Sequence, residues 1–347
     1  MQFGVYIHFP YCLSKCPYCD FASRAEAVIP QQRYTEAVLR ELGARAAQFP
    51  GREALSIYFG GGTPSLWDPP QLGRVLREIR SLWSVRTSAE VTLEANPGTT
   101  DEERFAAFRE LGVNRLSIGV QSFAPAQLVA LGRKHSGGDA VRAFETARAA
   151  GFRNVSLDLI HGVERQTKEL AASDAASAVA LGPEHISCYA LTLTGLAEEV
   201  PMARALRRGE LALPDDEVVS DMGDAVRAEL AQGGYARYEI SNYARRGREA
   251  VHNSLYWRGG EYGRRVAAPA ASCARAAAAS DLQTTARRRG TWSGWSAPAP
   301  ATLLRSASRR TNTFGSESSP ACVSPKASTS RPSNATWTCP SATGTAR

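Results

Sequence analysis

No apolar run in this chain approaches the length that a membrane span requires, and its first residues carry no charged-then-apolar secretory pattern. These absences set the expectation of a cytoplasmic protein without a transmembrane segment. A P-loop is missing as well: the loop Gly60-Gly61-Gly62-Thr63-Pro64 lacks the Lys-Ser/Thr pair that grips nucleotide phosphates. Cysteine is scarce, 7 in 347 residues, and an odd count leaves any set of disulfides with one thiol over. That usage fits a reducing compartment with a metal site better than an exported, cross-linked fold. The sharpest shortage lies in 263–347, which has no isoleucine, 2 valines and 3 leucines among mostly Ala, Arg, Ser, Thr and Pro. Such a composition cannot bury enough apolar surface to offset chain entropy, so this tail is expected to be low-complexity and disordered.

The formal net charge of +7 suggests a nucleic-acid partner until its distribution is considered. Beyond Tyr262 there are 12 Lys+Arg against 2 Asp+Glu, which leaves 29 basic and 32 acidic residues up to that point. Residues 1–262 therefore carry an ordinary soluble balance of −3. The tail's arginines and tryptophans follow no repeat and no interleaving, so no nucleic-acid partner is expected.

What the chain does contain begins at once, with Tyr6-Ile7-His8-Phe9-Pro10-Tyr11-Cys12 followed by Lys15-Cys16-Pro17-Tyr18-Cys19-Asp20-Phe21. An apolar run, Val5-Tyr6-Ile7, reads as a strand, and the proline-containing segment after it reads as a loop. Three thiolates at C-x3-C-x2-C spacing can hold three corners of an iron–sulfur cluster and leave its fourth iron open for chemistry. A zinc site would want a fourth close ligand, for which Asp20 is the candidate, and a disulfide would leave one cysteine over. Spacing and position after a strand favour the cluster.

Apolar runs at 4–8, 55–59, 89–94, 115–120, 154–160 and 185–191 read as strands. Between them 31–48, 69–83, 101–111, 139–150 and 168–181 show helical spacing, with Gly112, Gly151 and Gly182 as stops. Strand–helix units in such succession argue for an α/β fold with parallel strands, as a barrel or an open sheet. Unusual polar residues recur at carboxyl ends of successive strands, where barrel chemistry collects. Glu94 could bond hydroxyls of a sugar or simply be solvated. Gln121 suits a polar ligand or a satisfied core amide, and Arg133 a carboxylate or a basic surface. Asp158, inside an apolar run, must be paired or liganded if buried. His161 and His185 read as packed histidines, and Cys188 as a buried thiol.

Taken in order, YIHFPYCLSKCPYCDF, YFGGGTPS, LEANPG, RLSIGVQSF, LGRKH, DLIHG and YEISNYA resemble the radical S-adenosylmethionine superfamily. Within it the chain is similar to the branch holding HemW-type haem chaperones and oxygen-independent coproporphyrinogen III oxidases. The resemblance spans residues 1 to about 262. It implies a partial (β/α)6 TIM-like barrel over 1–240, the start of a HemW-like C-terminal region over 241–262, and the aberrant tail beyond. It also implies a 4Fe–4S cluster on Cys12, Cys16 and Cys19 with S-adenosylmethionine on the open iron. An electron through the cluster would then break a carbon–sulfur bond, giving methionine and a 5′-deoxyadenosyl radical. By the same resemblance Tyr6 and Tyr18 flank cluster and adenosine, Gly61, Gly62 and Thr63 meet the methionine portion, and Glu94 meets a polar part of the cofactor. Gln121, Arg133, Asp158 and Ala190 match further S-adenosylmethionine contacts. The electron donor would be a flavodoxin or ferredoxin, and the ligand haem or a porphyrinogen.

Phe21 stands where the oxidases carry a further cysteine, and Val251-His252-Asn253-Ser254-Leu255-Tyr256-Trp257 looks like the chaperones' H-N-x-x-Y-W signature. His252 is a conceivable haem contact, or a histidine that fixes a loop by hydrogen bonds. The favoured function is haem delivery to respiratory haem proteins. A coproporphyrinogen III dehydrogenase-type oxidoreductase and an inactive truncated product remain the alternatives. Three departures stand out. Gly162-Val163-Glu164-Arg165-Gln166-Thr167 replaces a G-L-P-G-Q-T loop, and 192–199 lacks the usual acidic-glycine-threonine turn. After Glu261-Tyr262 the expected glycine-rich stretch gives way to the tail, the pattern of a shifted reading frame.

Overall fold

A computed structural model describes residues 2–48, 50–99, 101–196 and 200–258. Expectations for 263–347, and for 197–199 and 259–262, lie outside the described residues. The chain enters through β1 (Gln2–Phe9) and then two short strands, β2 (Tyr11–Cys12) and β3 (Arg24–Ala25), which pair with each other and close the base of the cysteine loop. Helix and strand then alternate: α1 (Gln31–Ala46), β4 (Glu53–Gly61), a 3-10 turn at Pro64–Leu66, α2 (Pro69–Leu82), β5 (Ser84–Ala95), α3 (Glu102–Glu110) and β6 (Arg115–Gln121). They continue through α4 (Pro125–Ala130), α5 (Gly137–Ala149), β7 (Val155–His161), α6 (Lys168–Leu181) and β8 (His185–Ala190). Last come α7 (Pro201–Arg207), α8 (Asp216–Gln232), β9 (Ala236–Arg237), β10 (Asn242–Ala244) and α9 (Val251–Trp257).

The main sheet has the order β1-β4-β5-β6-β7-β8-β10-β9. Its first six strands are sequential and all parallel, so the order never reverses as it does in a doubly wound open sheet. That is the strand order of a barrel wall, and among the described residues the wall is partial, with β1 and β9 as its two edges. The six strands read from the sequence are present. The pairing of β10 antiparallel to β8, and of β9 to β10, was not legible in the periodicity.

Local chemistry accounts for the helix ends. Asp101 accepts from the Arg104 amide ahead of α3, Ser136 and Asp139 form a reciprocal capping box on α5, and Thr167 caps α6. Gly182 follows α6 in the left-handed conformation that only glycine adopts cheaply. In β1 buried and part-buried residues alternate, placing Val5, Ile7 and Phe9 in the core. Beneath the cysteine loop lies an aromatic block. Phe9 stacks on Trp67 at 5.1 Å between ring centroids, Tyr34 meets Trp67 edge-on at 5.1 Å, and the Trp67 indole donates to Thr35 Oγ1 at 2.9 Å. Such pairs contribute about 1 kcal/mol each beyond area burial, which makes a stiff floor for the loop. Tyr34 also donates to the His8 carbonyl.

Candidate functional site

A cavity of ≈ 710 Å³ opens at the carboxyl ends of the strands. Cys12, Cys16, Cys19 and Tyr18 come to it from the first loop, Gly61, Gly62 and Thr63 from the end of β4, and Glu94 from β5. Gln121 closes β6, Arg133 follows α4, and Asp158 and Ala190 come from β7 and β8. Residues from Cys12 to Ala190 thus share one wall-lined space, because successive parallel strands end side by side.

The cysteine loop is held from several directions. Lys15 Nζ donates to the carbonyls of Phe21 and Ser23, both at 3.0 Å, and the Cys19 amide donates to the Cys16 carbonyl at 3.1 Å. The amides of Gly62 and Thr63 donate to the carbonyls of Phe9 and Tyr11 at 2.7 and 2.8 Å, tying the glycine loop to it. A Cβ on Gly62 would lie 2.5 Å from the Tyr11 oxygen and 3.0 Å from Cys12 Sγ, so only glycine permits this approach. A second apolar cluster of Leu193, Leu196, Val200, Met202 and Ala203 packs against Tyr18, and the Met202 amide donates to the Pro17 carbonyl at 2.9 Å. Sequence reasoning missed this support, since its residues are few and irregularly spaced.

The donor set fits an iron–sulfur cluster. The three thiols are free. Burial raises the Cys12 thiol above its ordinary range and raises Cys19 to about 11, so without a cation the site resists ionisation. A metal that binds thiolates supplies the missing positive charge. Among the described residues no group of three or more His, Cys, Asp or Glu is arranged about a single ion; a cubane asks instead for one thiolate at each of three irons.

Polar groups deeper in the cavity are carefully partnered. Glu94 accepts from Tyr58 hydroxyl at 2.8 Å and from the Gly61 amide at 2.9 Å, and burial raises its carboxyl to about 7. Asp158 meets the requirement stated for a buried carboxylate by accepting from Ser117 Oγ at 3.0 and 3.1 Å and Ser156 Oγ at 3.4 Å, and burial raises it too. Gln121 has φ 66°, a left-handed conformation unusual for its type, at a register shift between β6 and β7. The turn after it is pinned by Asp174 of α6, which accepts from Ser122 Oγ at 2.6 Å and the Phe123 amide at 2.7 Å.

Two expected site residues do not line this cavity. Tyr6 and His252 are not among the cavity-lining side chains. Tyr6 stacks on Tyr58 with centroids 6.0 Å apart and bonds His8 Nδ1 at 3.1 Å, and His8 in turn bonds the Ala22 carbonyl at 2.9 Å. His252 is buried, with Nδ1 2.9 Å from Ser56 Oγ. His185 is buried between Ser156 and Tyr238, both at 2.8 Å, and His161 lies 3.5 Å from Cys188 Sγ with its pKa lowered to about 4 by burial. Both are packed histidines, as the sequence suggested.

The arrangement, a cysteine loop over a partial parallel barrel, has known counterparts. The model of the Radical SAM superfamily matches residues 6–173. In fold the chain is similar to the coproporphyrinogen III oxidase HemN of Escherichia coli, a radical SAM enzyme, with TM-score 0.63 and 24% identity over 74% of this chain and 58% of that one. In sequence it is 40% identical to the haem chaperone HemW of Escherichia coli (strain K12) over 263 residues, which are 75% of this chain and 67% of that protein. It is 41% identical to HemW of Mycobacterium tuberculosis (strain ATCC 25618 / H37Rv), with the same coverage. The chain belongs to the HemW family of radical SAM proteins. The superfamily implies a 4Fe–4S cluster and S-adenosylmethionine. Among the described residues no helix is long and apolar enough to cross a membrane.

Proposed function

We propose that this chain is a haem chaperone: it holds a 4Fe–4S cluster on Cys12, Cys16 and Cys19, takes S-adenosylmethionine into the cavity, and binds haem for transfer to respiratory haem proteins. The observation that carries the reading is the convergence of the cysteine loop, the glycine loop and four further strand ends on one cavity. The haem comes from the likeness to the haem chaperones of the family. The cluster, when bound, supplies one-electron reduction, fed by a flavodoxin or ferredoxin. The protein's own groups bind and orient. Arg133, held by its bonds to Cys16 Sγ, Asn96 and the Gly119 carbonyl, brings fixed positive charge to the cavity wall, while Glu94, with a carboxyl raised to about 7, accepts hydrogen bonds there. Asp158 and Gln121 complete the polar wall, and the aromatic block holds the strand that leads into the cysteine loop. Phe21, in place of a further cysteine, separates this chain from the porphyrinogen oxidases. The tail beyond Tyr262 belongs to a shifted frame in the same reading, and resequencing that region checks it.

Anaerobic reconstitution followed by two assays tests the function. Haem titration is expected to give a saturable Soret band, and incubation with coproporphyrinogen III, S-adenosylmethionine and reductant is expected to give no protoporphyrinogen. Product formation overturns the chaperone reading in favour of the oxidase; failure of both haem binding and turnover favours the inactive product.

A further inference from the structure

We propose that Asn96 is a positioning residue for the cluster: it orders a chain of directed hydrogen bonds that ends on two of the three ligand sulfurs, and so sets the cluster's reduction potential and its hold on iron. The proposal rests on the reading that Cys12, Cys16 and Cys19 carry the cluster.

Arg133 Nη1 donates to Cys16 Sγ at 3.3 Å, while its Nη2 donates to Asn96 Oδ1 at 2.6 Å and to the Gly119 carbonyl at 2.8 Å. A guanidinium has donors and no acceptor, so it dictates that the amide oxygen of Asn96 faces it. The amide nitrogen must point the other way, and there it donates to Thr63 Oγ1 at 2.9 Å. With a lone pair of that hydroxyl engaged, Thr63 keeps its own hydrogen to give, and Cys12 Sγ accepts it at 3.5 Å. Every bond in the series from Cys16 to Cys12 therefore has its direction set by the one before.

Asparagine alone among side chains of this size serves both neighbours. Aspartate could accept from Arg133 but not donate to Thr63, and an apolar residue could do neither. The strand beside it leaves room: a Cβ on Gly119 would lie 2.8 Å from Asn96 Oδ1. Thr63 is buried, so its hydroxyl geometry is not averaged by water. Donors given to ligand sulfurs stabilise the extra negative charge of a reduced cluster, which raises its potential, and outer-shell partners of this kind strengthen retention of metal. Asn96 touches no sulfur itself and acts through Arg133 and Thr63.

The test uses the full chain, reconstituted anaerobically, with three readouts: iron and sulfide per chain, midpoint potential by EPR-monitored titration, and the rate of iron loss to a chelator. Asn96→Ala is expected to load a cluster whose potential is more negative and whose iron leaves roughly 10-fold faster. Thr63→Val is expected to act in the same direction through Cys12 alone, and Thr63→Ser to restore the native values. If Asn96→Ala does not fold, the Val and Ser variants decide. Unchanged potentials in cluster-loaded Asn96→Ala or Thr63→Val overturn the proposal and leave the cluster reading intact. Failure of the unaltered chain to take up iron and sulfide overturns the cluster reading beneath it.

Discussion

At the carboxyl ends of the strands Glu94, Gln121, Arg133 and Asp158 face a cavity, whereas further down the barrel Glu90, Arg115, Ser56 and His252 face one another. The second group is a lock. Glu90 accepts from the backbone amides of Val251 and His252 at 2.9 and 3.0 Å, which caps the start of α9, and lies 3.9 Å from Arg115 Nε. Ser56 then holds the His252 ring. Both groups carry charge and are drawn from several elements, the lock buried and the cavity group half-buried. What separates them is position: Glu94, Asp158 and Arg133 are partnered within the protein at the edge of a cavity, while the lock lies away from it and leaves Arg115 Nε without a hydrogen bond, 3.9 Å from Glu90. A motif that looks functional in sequence can belong to either.

Cys19→Ser is expected to abolish stoichiometric iron and sulfide uptake while leaving far-UV circular dichroism unchanged, because the sulfur faces the cavity and holds no core contact. Glu90→Ala is expected to lower the unfolding free energy by about 3–5 kcal/mol, since it uncaps α9 and leaves a buried guanidinium unpaired. Urea denaturation measures this, and iron uptake by the folded fraction should stay native.

For pH, Glu94 is the clearest group. Its folded carboxyl sits at about 7 against an ordinary 4.5, so across that window the folded chain keeps a proton the unfolded chain has lost. Stability without ligand therefore falls as pH rises from 4.5 to 7, by about 3 kcal/mol from this group alone. Denaturation of Glu94→Gln against the unaltered chain at both ends of the range is expected to show the slope reduced in the variant. A slope equal in both would show that Glu94 ionises freely in the fold.

His252→Ala is expected to cost about 1–3 kcal/mol through the lost bond to Ser56, with haem affinity per folded molecule unchanged. A large loss of haem affinity at native stability would move His252 from the lock to the ligand set. The smallest effect is a gain. Arg165 has φ 58°, and its side chain is 90% exposed. It stands at the second glycine of the G-L-P-G-Q-T loop, so the loop retains a glycine's backbone without the glycine. Arg165→Gly is expected to stabilise the fold by about 1 kcal/mol in thermal melts.

Much of this was legible beforehand for identifiable reasons. The strands announce themselves as short apolar runs, and parallel pairing follows from helices between them. Cys12, Cys16 and Cys19 share a loop because they are close in sequence. Glu94, Gln121 and Ala190 fall together because each ends a strand of one wall. Asn96 was passed over because its importance lies in two partners 33 and 37 positions away. The left-handed turn at Gln121 was invisible because nothing about glutamine predicts it. The antiparallel β10 was missed because three residues carry no periodicity.

By itself, the order of residues determined the alternating strand–helix plan, the three-thiol loop and the set of strand-end residues, because these follow from local spacing and from chain order in a parallel sheet. Only the tertiary structure decided which polar groups line the cavity and which pack together away from it. His252 is buried and Glu94 half-buried, and both are polar residues near recognisable motifs. Their neighbours in space, Ser56 for one and Tyr58 with an open cavity for the other, come from distant segments, and direction in a hydrogen-bond network exists only once those segments meet.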